Sequence, residues 1–511
     1  MVRTCQSLIM NLETFPMNIN TNININTNNN TNFEHLVETA DLNSLPPENE
    51  PDRQAWFLAR AARIVHARSE AAGRELTFRV ETFGCQMNAR DSEKIVGILE
   101  KAGFKEAASE DADFLVYNTC TVRDNADQRV FGRLGRAGHL KKNRPGMKIA
   151  VCGCMVQEKS NVEKIRKSYR FVDLVFGTHN LYRFAEYLCS SLESDGMVIE
   201  IWDRADRIVE ALPAARKYPF KSGTNITFGC NNFCSYCIVP YVRGRERSRR
   251  PVEILRECER LAADGVVEIM LLGQNVNSYG KDLDEPCTFA QLLEEVCKID
   301  GLQRIRFMTP HPKDLSDDLI RLVRDKEKIA RHIHLPLQSG SDRILKRMNR
   351  HYTKEQYIAL ANKIRENIPD VSITTDIIVG FPGEEDCDID DTIDVVRRVG
   401  FDNAFTFIYS KRAGTPAAKM PDQVPDDEKS RMFDRVLAAV QETAHGRAER
   451  LTGRTMEALA EEVNIKDSRY ITARLSNNML VHVPGDPSMI GKMLRVRLDE
   501  CRGFYFFGTV L

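Results

Sequence analysis

Three cysteines stand close together in Cys230-Asn231-Asn232-Phe233-Cys234-Ser235-Tyr236-Cys237, a C-x3-C-x2-C spacing. Three thiolates can bind three irons of a cubane cluster and leave the fourth iron open. An open iron can hold a substrate or a sulfur atom, which a fully ligated electron carrier cannot do. Structural zinc wants four ligands, usually as two C-x2-C pairs, and no fourth Cys or His lies near this run. A second set is dispersed: Cys85 after Phe83-Gly84, Cys120 after Asn118-Thr119, and Cys154 after Cys152-Gly153. Single cysteines at strand ends are commonly packing residues. These three are grouped because each would leave the same edge of one sheet. Cys152 competes with Cys154, and the Gly153-Cys154-Met155 context favours Cys154.

Other residues with chemical potential cluster near the first triad. Arg243, Arg245, Arg247, Arg249 and Arg250 follow it directly. A charge run is usually a solvated face, but its place beside an active-site mouth makes it equally a phosphate-binding run. His332 and His334 form an H-x-H that lacks further ligands, so a polar lining is expected. Gly380-Phe381-Pro382-Gly383-Glu384 reads as a strand-end turn.

The elements that must position these residues are legible in the hydrophobic pattern. Strands are expected at Phe78-Phe83, Phe114-Asn118, Ile149-Cys152 and Leu174-Phe176, with helices at Ser92-Lys101, Asn125-Leu140 and Glu158-Lys167. Strands alternating with helices imply a doubly wound parallel sheet, which binds ligands beyond the carboxyl ends of its strands. A second βα series begins at Thr224. Its strands are expected at Thr224-Phe228, Val266-Leu272, Arg304-Phe307, His332-Pro336, Ser372-Val379 and Ala404-Tyr409. Pro251 opens a helix where its missing N–H costs nothing, and Thr353 with Gln356 makes a capping box. Six βα units form about three quarters of a TIM-type barrel, open enough laterally for a large substrate. The last sixty or so residues read as five short strands, Met456-Val463, Tyr470-Leu475, Met479-Val483, Met493-Leu498 and Phe504-Val510, with a turn at Pro484-Gly485-Asp486-Pro487. They suit a small OB-like barrel, a common nucleic-acid platform. The fold class expected is therefore α/β: an N-terminal doubly wound parallel sheet, a central partial (βα)6 TIM-type barrel and a small C-terminal antiparallel β-barrel.

The composition excludes several classes. A length of 511 residues suggests roughly three domains at ~150 residues each. With 28% charged residues but a formal net charge of −1, the chain is no polycation, so nucleic-acid binding must rest on a local patch. Fourteen dispersed cysteines do not read as a secreted disulfide framework, and they fit a reducing compartment. There is no run of ~18 apolar residues for a membrane span, and Met1 to Pro16 lacks a signal-peptide core. A cytoplasmic location is expected. The polar tract Asn18 to Asn32 cannot bury a core and is expected to be disordered, whereas Ala55 to Ala72 has helical character.

The C-x3-C-x2-C run, in a loop after the first barrel strand and with Tyr236 before its third cysteine, resembles the radical S-adenosylmethionine (SAM) signature. The order of parts from about Thr77 to Leu511 resembles the methylthiotransferases. The segments that carry this are Thr82-Phe83-Gly84-Cys85-Gln86-Met87-Asn88, Asn118-Thr119-Cys120-Thr121-Val122-Arg123, Gly153-Cys154-Met155 and the radical-SAM run itself. Leu272-Gly273-Gln274-Asn275-Val276-Asn277-Ser278-Tyr279, His334-Leu335-Pro336-Leu337-Gln338-Ser339-Gly340-Ser341 and Thr375 to Glu384 extend it. Arg243 to Arg249, Arg306 to Pro312 and Val483 to Pro487 point to the tRNA-modifying MiaB branch. Residues before Thr77 have no counterpart in the family pattern.

The resemblance implies an extension over 1–76, Asn-rich and largely disordered, a cluster domain over 77–200, a radical-SAM barrel over 216–447 and a TRAM RNA-binding domain over 448–511. It implies two [4Fe–4S] clusters. Cys230, Cys234 and Cys237, with Tyr236, would serve SAM, and Cys85, Cys120 and Cys154 would hold an auxiliary cluster. One SAM would supply a methyl group for a sulfur at the auxiliary cluster, and another the radical that takes hydrogen from C2 of N6-(dimethylallyl)adenosine at position 37 of tRNA. Arg243, Arg245, Arg247, Arg249 and Arg250 would contact the RNA. Implied partners are tRNA through its anticodon loop, an electron donor such as flavodoxin or ferredoxin, and a sulfur source. Sister branches act on threonylcarbamoyl-adenosine in tRNA or on a ribosomal-protein aspartate. An iron–sulfur RNA-binding or redox-sensing protein would need the arginines and the last domain but no SAM cleavage.

Overall fold

The computed structural model describes residues 29–121, 124–205 and 207–511. Val122 and Arg123 of the second cysteine motif, and most of the Asn-rich tract, lie outside them. The first folded unit is a six-stranded, wholly parallel sheet in the order Lys105–Glu106, Thr77–Thr82, Phe114–Thr119, Lys148–Gly153, Leu174–Phe176, Val198–Glu200. The two outermost strands were not expected. They are two and three residues long, too short to show a period. Phe114–Thr119 and Lys148–Gly153 are buried along their whole length, as strands covered by helices on both faces must be. One face packs Phe78, Val116 and Phe176, the other Leu115, Tyr117 and Val151.

The extension 1–76, expected to be largely disordered apart from a helical stretch at Ala55 to Ala72, holds two helices among its described residues, Asn29–Glu38 and Asp52–Ala72. The reason is amphipathicity. Ala55, Trp56, Leu58, Ala61 and Val65 are buried, each large side chain stabilising by roughly 1.5–3 kcal/mol. The Trp56 indole N–H donates to the Asp41 carbonyl at 2.9 Å, which satisfies its polar end. Arg53 ties the longer helix to Glu186 on the helix Phe184–Glu193, at 2.9 Å.

The central unit is an arc of six parallel strands, in the order Lys221–Asn225, Glu268–Leu272, Arg304–Phe307, His332–His334, Ser372–Val379, Asn403–Ile408. A parallel bridge between Ile305 and Ile329 joins its two halves. The first and last strands are not paired with each other, so the arc is open. Helix Pro251–Ala263 starts at its proline, and Thr353 with Gln356 forms both bonds of the capping box.

The terminal unit is a closed five-stranded barrel of Thr455–Val463, Tyr470–Leu475, Leu480–Pro484, Met493–Cys501 and Tyr505–Val510. All pairs are antiparallel except Leu480–Pro484 with Tyr505–Val510. It is mounted on the bottom of the arc by buried arginines. Arg304 donates to the Arg474 carbonyl at 2.9 Å, and Arg306 to the Leu475 and Ser476 carbonyls at 2.7 and 3.1 Å. Glu268 accepts from both arginines and balances them. Among the described residues no helix is long and apolar enough to cross a membrane.

Candidate active site

Cys85, Cys120 and Cys154 leave the carboxyl edge of the first sheet from neighbouring strands. Two glycines let those loops approach. Gly84 has φ +129°, and a Cβ on it would lie 2.4 Å from the Cys120 Cβ. Gly153 has φ +97°, and its Cβ would meet the Thr119 carbonyl at 2.3 Å. Side chains at either position would drive the thiols apart. Cys85 is also the residue before helix Gln86–Lys101, a position where the helix dipole favours negative charge. The sequence placed that helix six residues later, at Ser92. Its first turns are polar because Asn88, Arg90 and Asp91 are buried facing other polar groups, not the apolar core.

Those polar residues build a frame around the thiols. Asn88 donates to the Thr119 carbonyl at 2.8 Å, and Asn118 donates back to the Asn88 carbonyl at 2.8 Å. Arg243 reaches in from the arc. Its Nε donates to Cys154 Sγ at 3.3 Å, and its Nη2 to Asn88 at 3.1 Å and Asp91 at 2.9 Å. Burial pushes the Cys154 thiol up to about 12. Arg243 pulls it down, while Cys120 and Cys85 push it up. Both other sulfurs of the set thus act on Cys154. Cys152 points instead into the helix-covered core with Phe78 and Phe176, so Cys154 is the residue facing the other two.

The second triad sits in the loop between the paired strands Thr227–Phe228 and Arg247–Ser248. Gly229 has φ +75°, and a Cβ there would lie 2.2 Å from the Arg245 carbonyl. Gln274 accepts from the Gly229 N–H at 2.7 Å. Asn349, itself at φ +58°, donates to the Asn232 and Phe233 carbonyls at 3.1 and 3.0 Å. Burial pushes Cys230 up to about 11 and Cys237 up to about 12, with Cys234 adding to both. Arg350, only 7% exposed, donates to Cys234 Sγ at 3.5 Å, to the Pro336 carbonyl at 2.9 Å and to Tyr352 at 3.0 Å. Each triad therefore has one buried arginine against one thiol. Arg350 was not read from the sequence, because 116 residues separate it from its sulfur and no local pattern joins them. Tyr236 packs with Ile344, Met348, Phe381 and Tyr409, beside the Gly380 to Glu384 turn, whose Glu384 accepts from the Gly380 and Phe381 N–H groups.

These residues fit iron–sulfur clusters. All six are thiols, not disulfides. Buried thiols are raised in pKa without a metal and deprotonate on binding one. Among the described residues no three Cys, His, Asp or Glu are set to hold a single metal ion. A cubane does not need that arrangement, since each of its thiolates binds a different iron.

The arginine run divides. Arg243 and Arg249 are 5% and 6% exposed and are committed inward, contrary to the expected RNA contacts. Arg249 pairs with Glu210 at 2.5 Å and Glu257 at 2.7 Å. Against the burial that would raise it, Arg249 and Arg90 hold the Glu257 carboxyl at about 2. This network ties the first sheet unit to the arc, since Arg90 is on helix Gln86–Lys101 and lies 2.8 Å from Glu257. Alternating charge in the sequence could not show which arginines turn inward. Arg245 is exposed, 4.5 Å over the Phe233 ring, Arg247 is 5.8 Å from the Phe228 ring, and Arg250 is exposed beside Glu253.

Replacing Arg243 by Met would leave Asp91 buried without its cation. Breaking such a pair costs about 3–5 kcal/mol, so urea-induced unfolding is expected to shift by that amount. Arg243→Lys should recover only part, because one ammonium cannot serve Cys154, Asn88 and Asp91 at once. A Met variant as stable as the wild type would show that the pair is not worth its burial.

A cavity of about 1050 Å³ opens where the three units meet. Cys85 lines it from the sheet, His334 and Phe405 from the arc, and Met479 and Phe504 from the terminal barrel. His332 and His334 share the Thr374 hydroxyl at 2.9 and 3.0 Å, and His334 lies 3.3 Å from Asp376. They form the polar lining expected of them.

Residues 224–396 match the radical SAM superfamily, 77–177 the uncharacterized protein family UPF0004, and 449–511 the TRAM domain. A tRNA-2-methylthio-N(6)-dimethylallyladenosine synthase of Lachnoclostridium phytofermentans is 58% identical over 443 residues, covering 87% of this chain and 97% of that protein. Proteins of the same name from Acetivibrio thermocellus and Clostridioides difficile are each 48% identical, covering 90% and 86% of this chain and 96% and 92% of their own lengths. With relatives of that identity covering most of both chains, the chain belongs to the family of tRNA-2-methylthio-N(6)-dimethylallyladenosine synthases.

Proposed function

We propose that this protein adds a methylthio group to C2 of N6-(dimethylallyl)adenosine at position 37 of tRNA, using SAM as methyl donor and radical source. The observation that carries the reading is the cavity. It brings Cys85 of one triad within the same space as the arc lumen and the terminal barrel, with room for a nucleoside turned out of its loop. Cys230, Cys234 and Cys237 are the proposed ligands of the SAM cluster, and Cys85, Cys120 and Cys154 those of the auxiliary cluster. When bound, the clusters and SAM supply a methyl group and a carbon radical able to take hydrogen from a non-acidic C–H bond.

The chain's own part is positional and electrostatic. Arg350 and Arg243 offset the negative charge of the two thiolate sets in a medium of low dielectric. Tyr236 and the Gly380 to Glu384 turn wall the SAM side. Arg245, Arg247 and Arg250, with the terminal barrel, grip RNA phosphates, a contact that weakens as salt rises. An electron donor such as flavodoxin or ferredoxin and a sulfur source complete the set, and the cytoplasm is the compartment that holds all of these with tRNA.

Nucleoside mass spectrometry of tRNA from a deletion strain tests this. The methylthio nucleoside should vanish and N6-(dimethylallyl)adenosine accumulate, with rescue by the intact gene and none by Cys85→Ala. Unchanged tRNA, with loss of a methylthio group from a ribosomal protein or from threonylcarbamoyl-adenosine, would overturn it.

A further inference from the structure

The last strand of the arc, Asn403–Ile408, pairs only with Ser372–Val379, so its outer edge borders the lateral opening. It carries an unusual load of exposed apolar surface. Phe405 is 50% and Phe407 44% exposed. Alternation along a strand puts both on one face. Phe405 lines the cavity and stands 6.1 Å from the His334 ring, so that face is the lumen. An exposed phenyl ring in the cavity wall, continued by a second two residues along the same strand face, marks a place where an apolar group binds. Neither belongs to the arc core, which lies on the opposite face with Ile373, Ile377 and Val379.

The register adds a charge. Phe405 is paired with Asp376 and Phe407 with Ile378 on the neighbouring strand. The lumen row here is therefore aromatic and aliphatic, with one carboxylate set among the rings. Resting on the reading above, we infer that Phe405 and Phe407 seat the dimethylallyl group on N6 of the target adenosine, and that Asp376 excludes a substituent that ends in a carboxylate. A dimethylallyl chain has no polar atom beyond N6, so its burial against two rings is favourable throughout. A threonylcarbamoyl chain would bring its carboxylate against Asp376, a repulsive element of the kind that sets specificity. The site thus chooses its adenosine by the substituent, at a surface apart from the six cysteines.

The test uses reconstituted holoenzyme and three anticodon stem-loops that differ only at N6 of the target adenosine: unsubstituted, dimethylallyl or threonylcarbamoyl. Wild type should favour the dimethylallyl form in both Kd and kcat/KM. In Phe405→Ala and Phe407→Ala the dimethylallyl-over-unsubstituted ratio should fall about 10- to 100-fold, the range for lost contacts in an apolar pocket. Phe405→Leu should keep most of the ratio. Asp376→Asn should tighten binding of the threonylcarbamoyl stem-loop. Iron content read on each variant reports whether its fold is intact. An unchanged ratio in the Ala variants, or an equal fall in the Leu variant, overturns the seat. A wild type that modifies dimethylallyl and unsubstituted stem-loops equally leaves the methylthiolation reading standing and overturns the inference. A wild type that modifies no stem-loop or tRNA overturns both.

Discussion

Replacement of Cys230, Cys234 and Cys237 by Ala is expected to abolish 5′-deoxyadenosine formation and to cut iron from about eight to about four per chain, since each triad completes one cubane. The loss should be local. The loop that carries the triad is held by Asn349 and by Ser235, which donates to the Arg347 carbonyl at 2.8 Å and, through its N–H, to the Met348 carbonyl at 3.0 Å. None of these bonds uses a thiol. The other triad is framed by Asn88, Asn118 and Arg243 from different elements and should keep its iron. Iron analysis and chromatography of the SAM products after dithionite reduction read both quantities. Cleavage that survives in the triple variant would remove this triad from the SAM site.

The complementary variant, Cys85, Cys120 and Cys154 to Ala, is expected to separate the two halves of the activity. 5′-Deoxyadenosine should still form, and methylthiolated RNA should fall below detection. The geometry gives the reason: these thiols stand on the sheet and the other three on the arc, and of the six only Cys85 lines the cavity, while Arg243 of the arc reaches Cys154. Arg243 would then keep Asp91 at 2.9 Å but lose its sulfur partner. Cys152→Ala serves as the control, because Cys152 packs into the apolar core with Phe78 and Phe176. Loss of the auxiliary cluster in Cys152→Ala with retention in Cys154→Ala would reverse the ligand assignment.

Much of this site could be read before the structure, and what could not has a common cause. Strands such as Arg304–Phe307, Ser372–Val379 and Tyr470–Leu475 stand where the hydrophobic pattern put them, because burial of a whole strand or of one face writes itself into a local period. The cysteines were legible because thiols are scarce and their spacing is itself a geometric statement. What escaped was fixed by partners distant in the chain. The first turns of helix Gln86–Lys101 look like loop because their polar residues answer Arg243 and Glu257. Arg243 and Arg249 look like surface because the acids that bury them, Asp91, Glu210 and Glu257, lie elsewhere in the sequence. Arg350 had no local sign at all. The exposure of the edge phenylalanines of Asn403–Ile408 was not legible either, since a sequence shows that a residue is apolar and not whether anything covers it.

The mounting of the terminal barrel bears on how this chain can change over generations. Arg304 and Arg306 grasp the carbonyl oxygens of Arg474, Leu475 and Ser476, groups that every amino acid presents alike. These two arginines therefore read the path of the main chain, while the side chains that join the barrel to the arc are few, Ser476 accepting from the Arg331 N–H at 3.0 Å and Glu461 pairing with Lys221 at 3.0 Å. Mutation can redraw the outward surface of the barrel, and with it the set of RNAs retained, without loosening the joint that aims that surface at the cavity. Recognition and alignment are inherited as separate traits.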